Sequence, residues 1–493
     1  MNLLVRACLA AAALVSVLQM PGRSEQAAKT GAGRRPNVIL VVTDQHRMAS
    51  YPGEPFTSVA APNLARLAAE GARFENAVSN YPVCSPYRAM LLSGLAPFHS
   101  GVLDNSIRLR DTGQTLGAMF KKGGYDTAFI GKWHLGWEDH PLATPEDRPR
   151  AGTHGFDRFE VWLATNNHRQ SRWWDPEKQV FVPYAGYNAT GMTDHALEFI
   201  ERRRDRPFLV VLCLNPPHSD FTDAPDEFQK MYEGVKLLDR PNVREILPQF
   251  VNPILRRVGR DGIHRGYLAH ISAVDREMGR LLDALERSGK AGDTVVVYSS
   301  DHGEMLGSQG RMAKRQPWEE SLRIPFVVRW KGHVKAGMRP RTLIGAVDFF
   351  PTLCGLAGLP VPAGLDGKDL SGALRGGDLV EPAYQPIMHI MGVAAGARSA
   401  PGRVNEYQEG ETEFFRGVRT PRFMYAVTKD GPWLLYDLEQ DAFQQSNRVA
   451  DPAYRTELER LHDLTRRWLR AWDDPYVLAP LAPAKAGTEG SRP

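Results

Sequence analysis

Short apolar runs alternate along this chain with longer stretches in which apolar residues recur at helical spacing. The first apolar run covers 38–43. A helix is expected over 63–70, with Pro62 near its start and Gly71 as a stop signal. A short helix around 115–122 leads to an apolar segment at 127–130, and a helix near 193–204 leads to a strand at 208–214. The clearest helix lies at about 266–287, where Leu268, Ile271, Val274, Met278, Leu281, Leu282 and Leu285 share one face. Strands at 294–299 and 325–329 follow it. This alternation predicts an α/β fold built on a large, mostly parallel mixed sheet flanked by helices.

Beyond Pro382 the alternation weakens, and 415–427 and 433–438 read as short strands before a helix at 453–472. A smaller C-terminal α+β subdomain is expected there. The resulting layout is a leader at 1–27, a catalytic domain at 36–380, the subdomain at 381–476 and a disordered tail at 477–493, rich in Pro, Ala and Gly.

Net charge is only +4, with Lys and Arg spread along the chain, which argues against nucleic acid as the partner. Arg6 precedes an apolar stretch from Ala7 to Leu18, the pattern of a signal peptide cleaved between Met20 and Lys29. The stretch is shorter than the ~20 apolar residues that span a bilayer. Export to the periplasm or medium is therefore expected, without stable membrane insertion. Of the four cysteines, Cys8 would leave with the leader, and Cys213 and Cys354 sit in apolar runs as small core residues. Cys84 is left without an evident crosslinking role.

Four strands end alike. The first runs into Asp44-Gln45, the second into Lys132 and His134, the third into His218 and the fourth into Asp301-His302. Asp or His after a single strand often just caps a turn. Parallel strands, however, would gather all four ends at one sheet edge, where open α/β sheets bind ligands. Asp44, Gln45 and Asp301 offer hard oxygen ligands for Ca²⁺ or Mg²⁺, and His302 widens the choice towards Mn²⁺. Arg88, Lys132 and Lys314 add positive charge, and His134 and His218 could move protons at ~10²–10⁴-fold each in rate. This set suits hydrolysis of a sulfate or phosphate ester. Cys84-Ser85-Pro86-Tyr87-Arg88 places residue 84 at an expected helix start, which favours an anion.

That segment resembles the Cys-x-Pro-x-Arg signature of the type I sulfatases of the alkaline phosphatase superfamily. The resemblance extends to Pro36-Asn37-Val38-Ile39 with Asp44-Gln45, to Gly131-Lys132-Trp133-His134-Leu135-Gly136, and to Ser300-Asp301-His302-Gly303-Glu304 followed by Lys314. It continues through 415–422 and Leu435-Tyr436-Asp437-Leu438, covering about 36–472. It implies that a separate maturation enzyme oxidises Cys84 to formylglycine. Asp44, Gln45, Asp301 and His302 would then hold one divalent cation with residue 84, Ca²⁺ foremost. One hydroxyl of the hydrated aldehyde would attack sulfur in line, with His218 or Lys314 protonating the leaving alcohol. His134 would deprotonate the second hydroxyl to release sulfate, while Arg88 and Lys132 orient the group and balance charge.

Two positions depart from the usual family pattern: Gln45 stands where many relatives carry Asp, and His302 where they carry Asn. Both variants occur among phosphonate and phosphate ester hydrolases of the wider family. A formylglycine-dependent phosphonate monoester hydrolase or phosphodiesterase is therefore the alternative enzyme, and a non-catalytic sulfated-glycan binder the alternative without chemistry. The stretch from Thr165 through Asn166, Asn167, His168 and Arg169 to Trp173-Trp174 has groups suited to a sugar, though a surface loop with partly buried Trp reads the same. Asn188-Ala189-Thr190 is a glycosylation sequon.

Overall fold

The computed structural model describes residues 35–105, 107–136, 152–162, 166–175, 177–178, 180–202, 204–376, 382–390 and 414–481. The leader, Thr165 and most of the expected tail lie outside the described residues. Ten strands come first in the chain: β1 Asn37–Thr43, β2 Ala72–Arg73, β3 Asn76–Val78, β4 Asp126–Lys132, β5 Arg158–Trp162, β6 Arg172–Asp175, β7 Val180–Pro183, β8 Phe208–Cys213, β9 Thr294–Ser300 and β10 Phe326–Arg329. All but β3 form one nine-stranded sheet in the order β2-β10-β9-β1-β8-β4-β5-β6-β7. Its centre, β9-β1-β8-β4-β5, is parallel, and the outer pairings are antiparallel.

Alternation within each central strand feeds two cores. In β1, Val38, Leu40 and Val42 face one layer while Ile39 and Val41 face the other, and β8 and β9 alternate likewise. Helices Cys84–Ser93 and Ala346–Ala357 cover the first face. Helices Pro62–Glu70, Asn188–Glu201 and Pro253–Arg287 cover the second. Each fully buried aliphatic side chain contributes roughly 1.5–3 kcal/mol. The sheet is thus a rigid platform for whatever leaves its strand ends. Cys213 and Cys354 are free and buried in the core, as their apolar runs predicted.

Differences from expectation have local causes. The helix expected at 193–204 starts at Asn188, because Thr190, Gly191 and Thr193 dilute the apolar spacing. The long helix starts at Pro253 behind an Asn252 cap, and bends at Gly259 (φ 68°). Its first turns are polar, so the periodicity there is weak. The stretch 415–427 is two strands, β13 (Phe415–Arg419) and β14 (Phe423–Thr428), joined by a turn in which Thr420 N donates to Phe423 O. With β11 Leu343–Gly345, β12 Gln385–His389 and β15 Gly431–Asp437 the count is complete, and β12 to β15 form the small antiparallel sheet. β12 is unexpected because Pro386 argues against a strand; it is an edge strand whose free side is met by Asn80. Helix Arg455–Ala471 closes the subdomain, and Leu478 and Leu481 still pack against the first core.

The candidate sugar stretch is a surface loop in which Asn166, Asn167 and Arg169 are exposed but the rings are turned inward. Trp174 is buried against Phe181, Trp173 packs on Tyr184 and His195, and His168 is fully enclosed. Asn188 of the sequon is also buried, donating to Ser171 Oγ, so it is no acceptor for a glycan in the folded chain. Among the described residues no helix is long and apolar enough to cross a membrane.

Candidate active site

Asp44 is the first residue beyond β1, and Asp301 and His302 are the first beyond the neighbouring parallel strand β9. Lys132 ends β4, and His218 follows the end of β8. The parallel register therefore delivers four groups to one edge. Gly131 (φ 106°) makes this possible between β4 and β8, since a Cβ there would stand 2.1 Å from Cys213 O. Cys84 opens the helix Cys84–Ser93 beneath that edge, and Ser85 N donates to Asn105 Oδ1. The unpaired N–H groups and dipole of that helix start favour negative charge beside residue 84.

The contacts form one buried network. Asp44 Oδ2 meets Lys132 Nζ at 2.6 Å and Arg88 Nη2 at 3.2 Å. Arg88 Nη2 also donates to Asp301 Oδ2 at 2.9 Å, and Nη1 to Lys132 O at 2.8 Å. Cys84 Sγ lies 3.3 Å from His302 Nε2 and 3.3 Å from Lys314 Nζ. Lys314 Nζ in turn donates to His218 Nε2 at 3.1 Å, while His218 Nδ1 donates to Ser219 O. His134 lies in the same electrostatic field, among Lys132, Arg88 and Asp44. Gln45, His134, Ala313 and Arg315 all sit at positive φ, strain of roughly 1–3 kcal/mol each that the surrounding packing must hold.

Charge is unevenly shared. Burial and Asp44 push the Cys84 thiol up, but Lys314, Lys132 and His302 outweigh them and bring it to about 6. Burial raises Asp44 too, yet Lys132, His218, His302 and Lys314 hold it well below the usual carboxylate range. Burial and the neighbouring Asp44 push Asp301 up to about 6. Burial with Lys314 drives His218 well down, and burial with Lys132 and Arg88 does the same to His134. Both rings are thus neutral near pH 7.

The donor set fits a divalent cation. Ligand atoms of Asp44, Cys84, Asp301 and His302 all lie within 4.8 Å of one another. His302 Nδ1 donates to Gly303 O, so on loss of the Nε2 proton that nitrogen would be free to ligate a cation beside both carboxylates. Gln45 is tied through its Nε2 to the Glu304 carboxylate, and its Oε1 is enclosed without a hydrogen-bond partner, an orphaned hard oxygen. A cation among these groups would relieve the repulsion that raises Asp301.

Three contributors escaped sequence reasoning. Glu304 fixes Gln45 and accepts from Leu306 N and Ala313 N, shaping the loop that carries Lys314. Asn215 faces Lys132, and Asn105 caps the Cys84 helix. Asn215 follows a strand end, the very signal that singled out the others. Asn105 had no such mark.

Comparison with known proteins agrees with this geometry. The Sulfatase family model matches residues 36–359, more than half of the chain. The ulvan-active sulfatase of Formosa agariphila is 32% identical over 429 residues, covering 86% of this chain and 78% of that protein. The endo-4-O-sulfatase of Bacteroides thetaiotaomicron is 30% identical over 503 residues, covering 90% and 93%. A solved structure from the glycosaminoglycan metabolism of Bacteroides thetaiotaomicron superposes with a TM-score of 0.76 at 26% identity, covering 90% of this chain and 97% of that one. The family model over residues 36–359 and these two relatives show that the chain belongs to the sulfatase family and is a sulfuric ester hydrolase.

Proposed function

We propose that this enzyme hydrolyses the sulfate ester of a sulfated carbohydrate to alcohol and inorganic sulfate, after Cys84 has been oxidised to formylglycine by a maturation enzyme. The observation that carries the reading is the place of Cys84 Sγ. It stands at a helix start between a ligand group, His302 Nε2, and a proton donor, Lys314 Nζ, each 3.3 Å away. The thiol stands in for the oxygen-bearing side chain of the mature residue. Hydrated formylglycine would supply the hydroxyl nucleophile that a thiol lacks, and a second hydroxyl whose deprotonation expels sulfate and regenerates the aldehyde. A divalent cation, Ca²⁺ foremost, held by Asp44, Gln45, Asp301, His302 and residue 84, would supply positive charge against the sulfate oxygens.

The chain's own residues do the rest. Arg88, locked by Asp44, Asp301 and Lys132 O, cannot swing away and holds both carboxylates in place. Lys132 and Lys314 would face the anion with fixed charges from buried positions, where such charges act most strongly. Lys314 already directs a proton at His218 Nε2, so this pair is placed to protonate the leaving oxygen. His134, neutral under burial and the nearby cations, is the base of the set.

The carbohydrate assignment draws support from the relatives named for ulvan and for endo-4-O action. Export to the periplasm or medium is part of the proposal and rests on the apolar stretch after Arg6. The test is co-expression with a maturation enzyme, followed by peptide mass spectrometry at residue 84 and assays on aryl sulfate, aryl phosphonate and sulfated oligosaccharides. An aldehyde at residue 84, sulfatase activity abolished by Cys84→Ala, and loss of activity on chelation are expected. Full activity with only intact Cys84 would refute the mechanism. Preference for phosphonate would refute the substrate class.

A further inference from the structure

Behind Lys132 runs a buried chain of hydrogen bonds that leaves the sulfate site. Lys132 Nζ, on Asp44 at 2.6 Å, also donates to Asn215 Oδ1 at 3.4 Å. The other end of that amide, Asn215 Nδ2, lies 3.0 Å from His168 Nε2. His168 Nδ1 lies 2.6 Å from Asp223 Oδ1, and Asp223 Oδ2 accepts from His168 N at 2.7 Å. Asn215 and His168 are fully buried.

The chemistry of the groups permits one consistent assignment. An ammonium only donates, so it selects the amide oxygen, and Asn215 Nδ2 must then donate to His168. His168 Nε2 therefore accepts, which puts its proton on Nδ1 and directs it at Asp223. Asp223 can only accept, and hydrogen bonds from His168 and from His270 keep it ionised despite burial. His270 shares that carboxylate, with Nε2 3.4 Å from Asp223 Oδ1 and 2.9 Å from Asp220 O, and Tyr187 OH lies 2.7 Å from its Nδ1. Arg169 fastens the same segment by donating to Asp223 O and Ala224 O.

We infer that Asp223 and His168 are positioning residues for sulfate ester hydrolysis: through the His168 tautomer they fix the Asn215 amide with its oxygen towards Lys132. This rests on the role given above to Lys132. The consequence is chemical. Asp223→Asn lets an amide N–H face His168 Nδ1, which moves the ring proton to Nε2. Asn215 must then turn its oxygen to His168 and present N–H groups to the Lys132 ammonium. Asp223→Asn with Asn215→Asp repairs the relay, because a carboxylate at 215 accepts from His168 Nε2–H and from Lys132 together.

The test uses the matured full-length enzyme on an aryl sulfate, with aldehyde content at residue 84 and the melting midpoint measured for every variant. Asp223→Asn is expected to lower kcat/KM by about 10–100-fold, the usual effect of losing an outer hydrogen-bond partner of a reactive group. Adding Asn215→Asp is expected to restore most of it. Asn215→Ser, which removes the last link with little change in volume, is expected to lose as much alone and nearly nothing more when combined with Asp223→Asn. It keeps the inference testable if Asp223→Asn does not fold. Activity within twofold of the parent for Asn215→Ser, or a further additive loss on combining Asp223→Asn with Asn215→Asp, overturns the relay while leaving Lys132 in place. Undiminished turnover by Lys132→Ala overturns the role of Lys132 and the relay with it.

Discussion

Arg88→Ala removes a guanidinium that touches both site carboxylates. Arg88 is 2% exposed and reaches Asp301 at 2.9 Å, Asp44 at 3.2 Å and Lys132 O at 2.8 Å. Asp44 keeps Lys132, but Asp301 loses its closest fixed cation and remains beside Asp44. Leaving a buried charge without its partner costs about 3–5 kcal/mol. At ~2 cal/mol/K of unfolding entropy per residue and on the order of 400 folded residues, the melting midpoint should fall by about 4–6 °C. The assay is thermal unfolding in chelator and then across a Ca²⁺ titration. Because the variant lacks internal compensation for the carboxylates, added cation should raise its midpoint more than the parent's. Turnover of aryl sulfate should fall by about 10²–10³-fold, as for loss of one fixed charge-stabilising group. A variant that melts within 1 °C of the parent in chelator, with an equal response to Ca²⁺, would show that Arg88 does not balance the pair.

Two further outcomes test the frame around the site. Gly131→Ala should lower both stability and turnover, since φ 106° strains any side chain by roughly 1–3 kcal/mol and the added Cβ meets Cys213 O at 2.1 Å; parental melting and kcat would refute the close β4–β8 approach. Glu319→Gln should cost about 1.5–3 kcal/mol at pH 7, because Arg419 of β13 grips Glu319 through two hydrogen bonds, at 3.0 and 3.2 Å. Burial raises Glu319, but Arg419 lowers it further, so its folded pKa lies below the ordinary 4.5. Its stabilisation is therefore complete above that pH and lost as pH falls through the lower folded value. Urea unfolding should show the gap between parent and variant at pH 7 and its narrowing below pH ~4; a gap independent of pH would refute the ion pair.

The site was legible where chemistry coincides with topology. Asp44, Lys132, His218 and Asp301 could be grouped from sequence because each follows an apolar run, and parallel strands share an end. Cys84 and Arg88 were legible because a proline two residues after the cysteine marks a helix start, and an Arg four residues on shares its face. Gln45 was legible as an oxygen donor but not as the partner of Glu304, which depends on how two strand ends lie side by side. Trp173, Trp174 and His168 left two readings open for the opposite reason. Aromatic and polar groups look alike in sequence whether they face solvent or close a core; the pairing of β6 with β7 decides it for the tryptophans, and Asp223 with Asn215 for His168. Pro386 hid β12, because a proline is tolerated at a sheet edge but not at its centre.

Asp44, Asp301, Arg88, Lys132, Lys314 and the Cys84 thiol share one buried region, an arrangement no fold would adopt for stability. The cations and anions are not simply paired off. Arg88 and Lys132 are committed to Asp44 and Asp301, whereas Lys314 is directed at Cys84 and His218. The two carboxylates repel enough to raise Asp301, while Lys314 and Lys132 help draw the thiol down to about 6. Residue 84 thus lies between two carboxylates that repel each other and a lysine directed at it. A cation on the carboxylate side would relieve that repulsion, and its charge would favour a sulfate ester anion on the lysine side. The strained residues at Gln45, His134, Ala313 and Arg315 border this region, so the packing that holds their backbone also holds the charged groups in position.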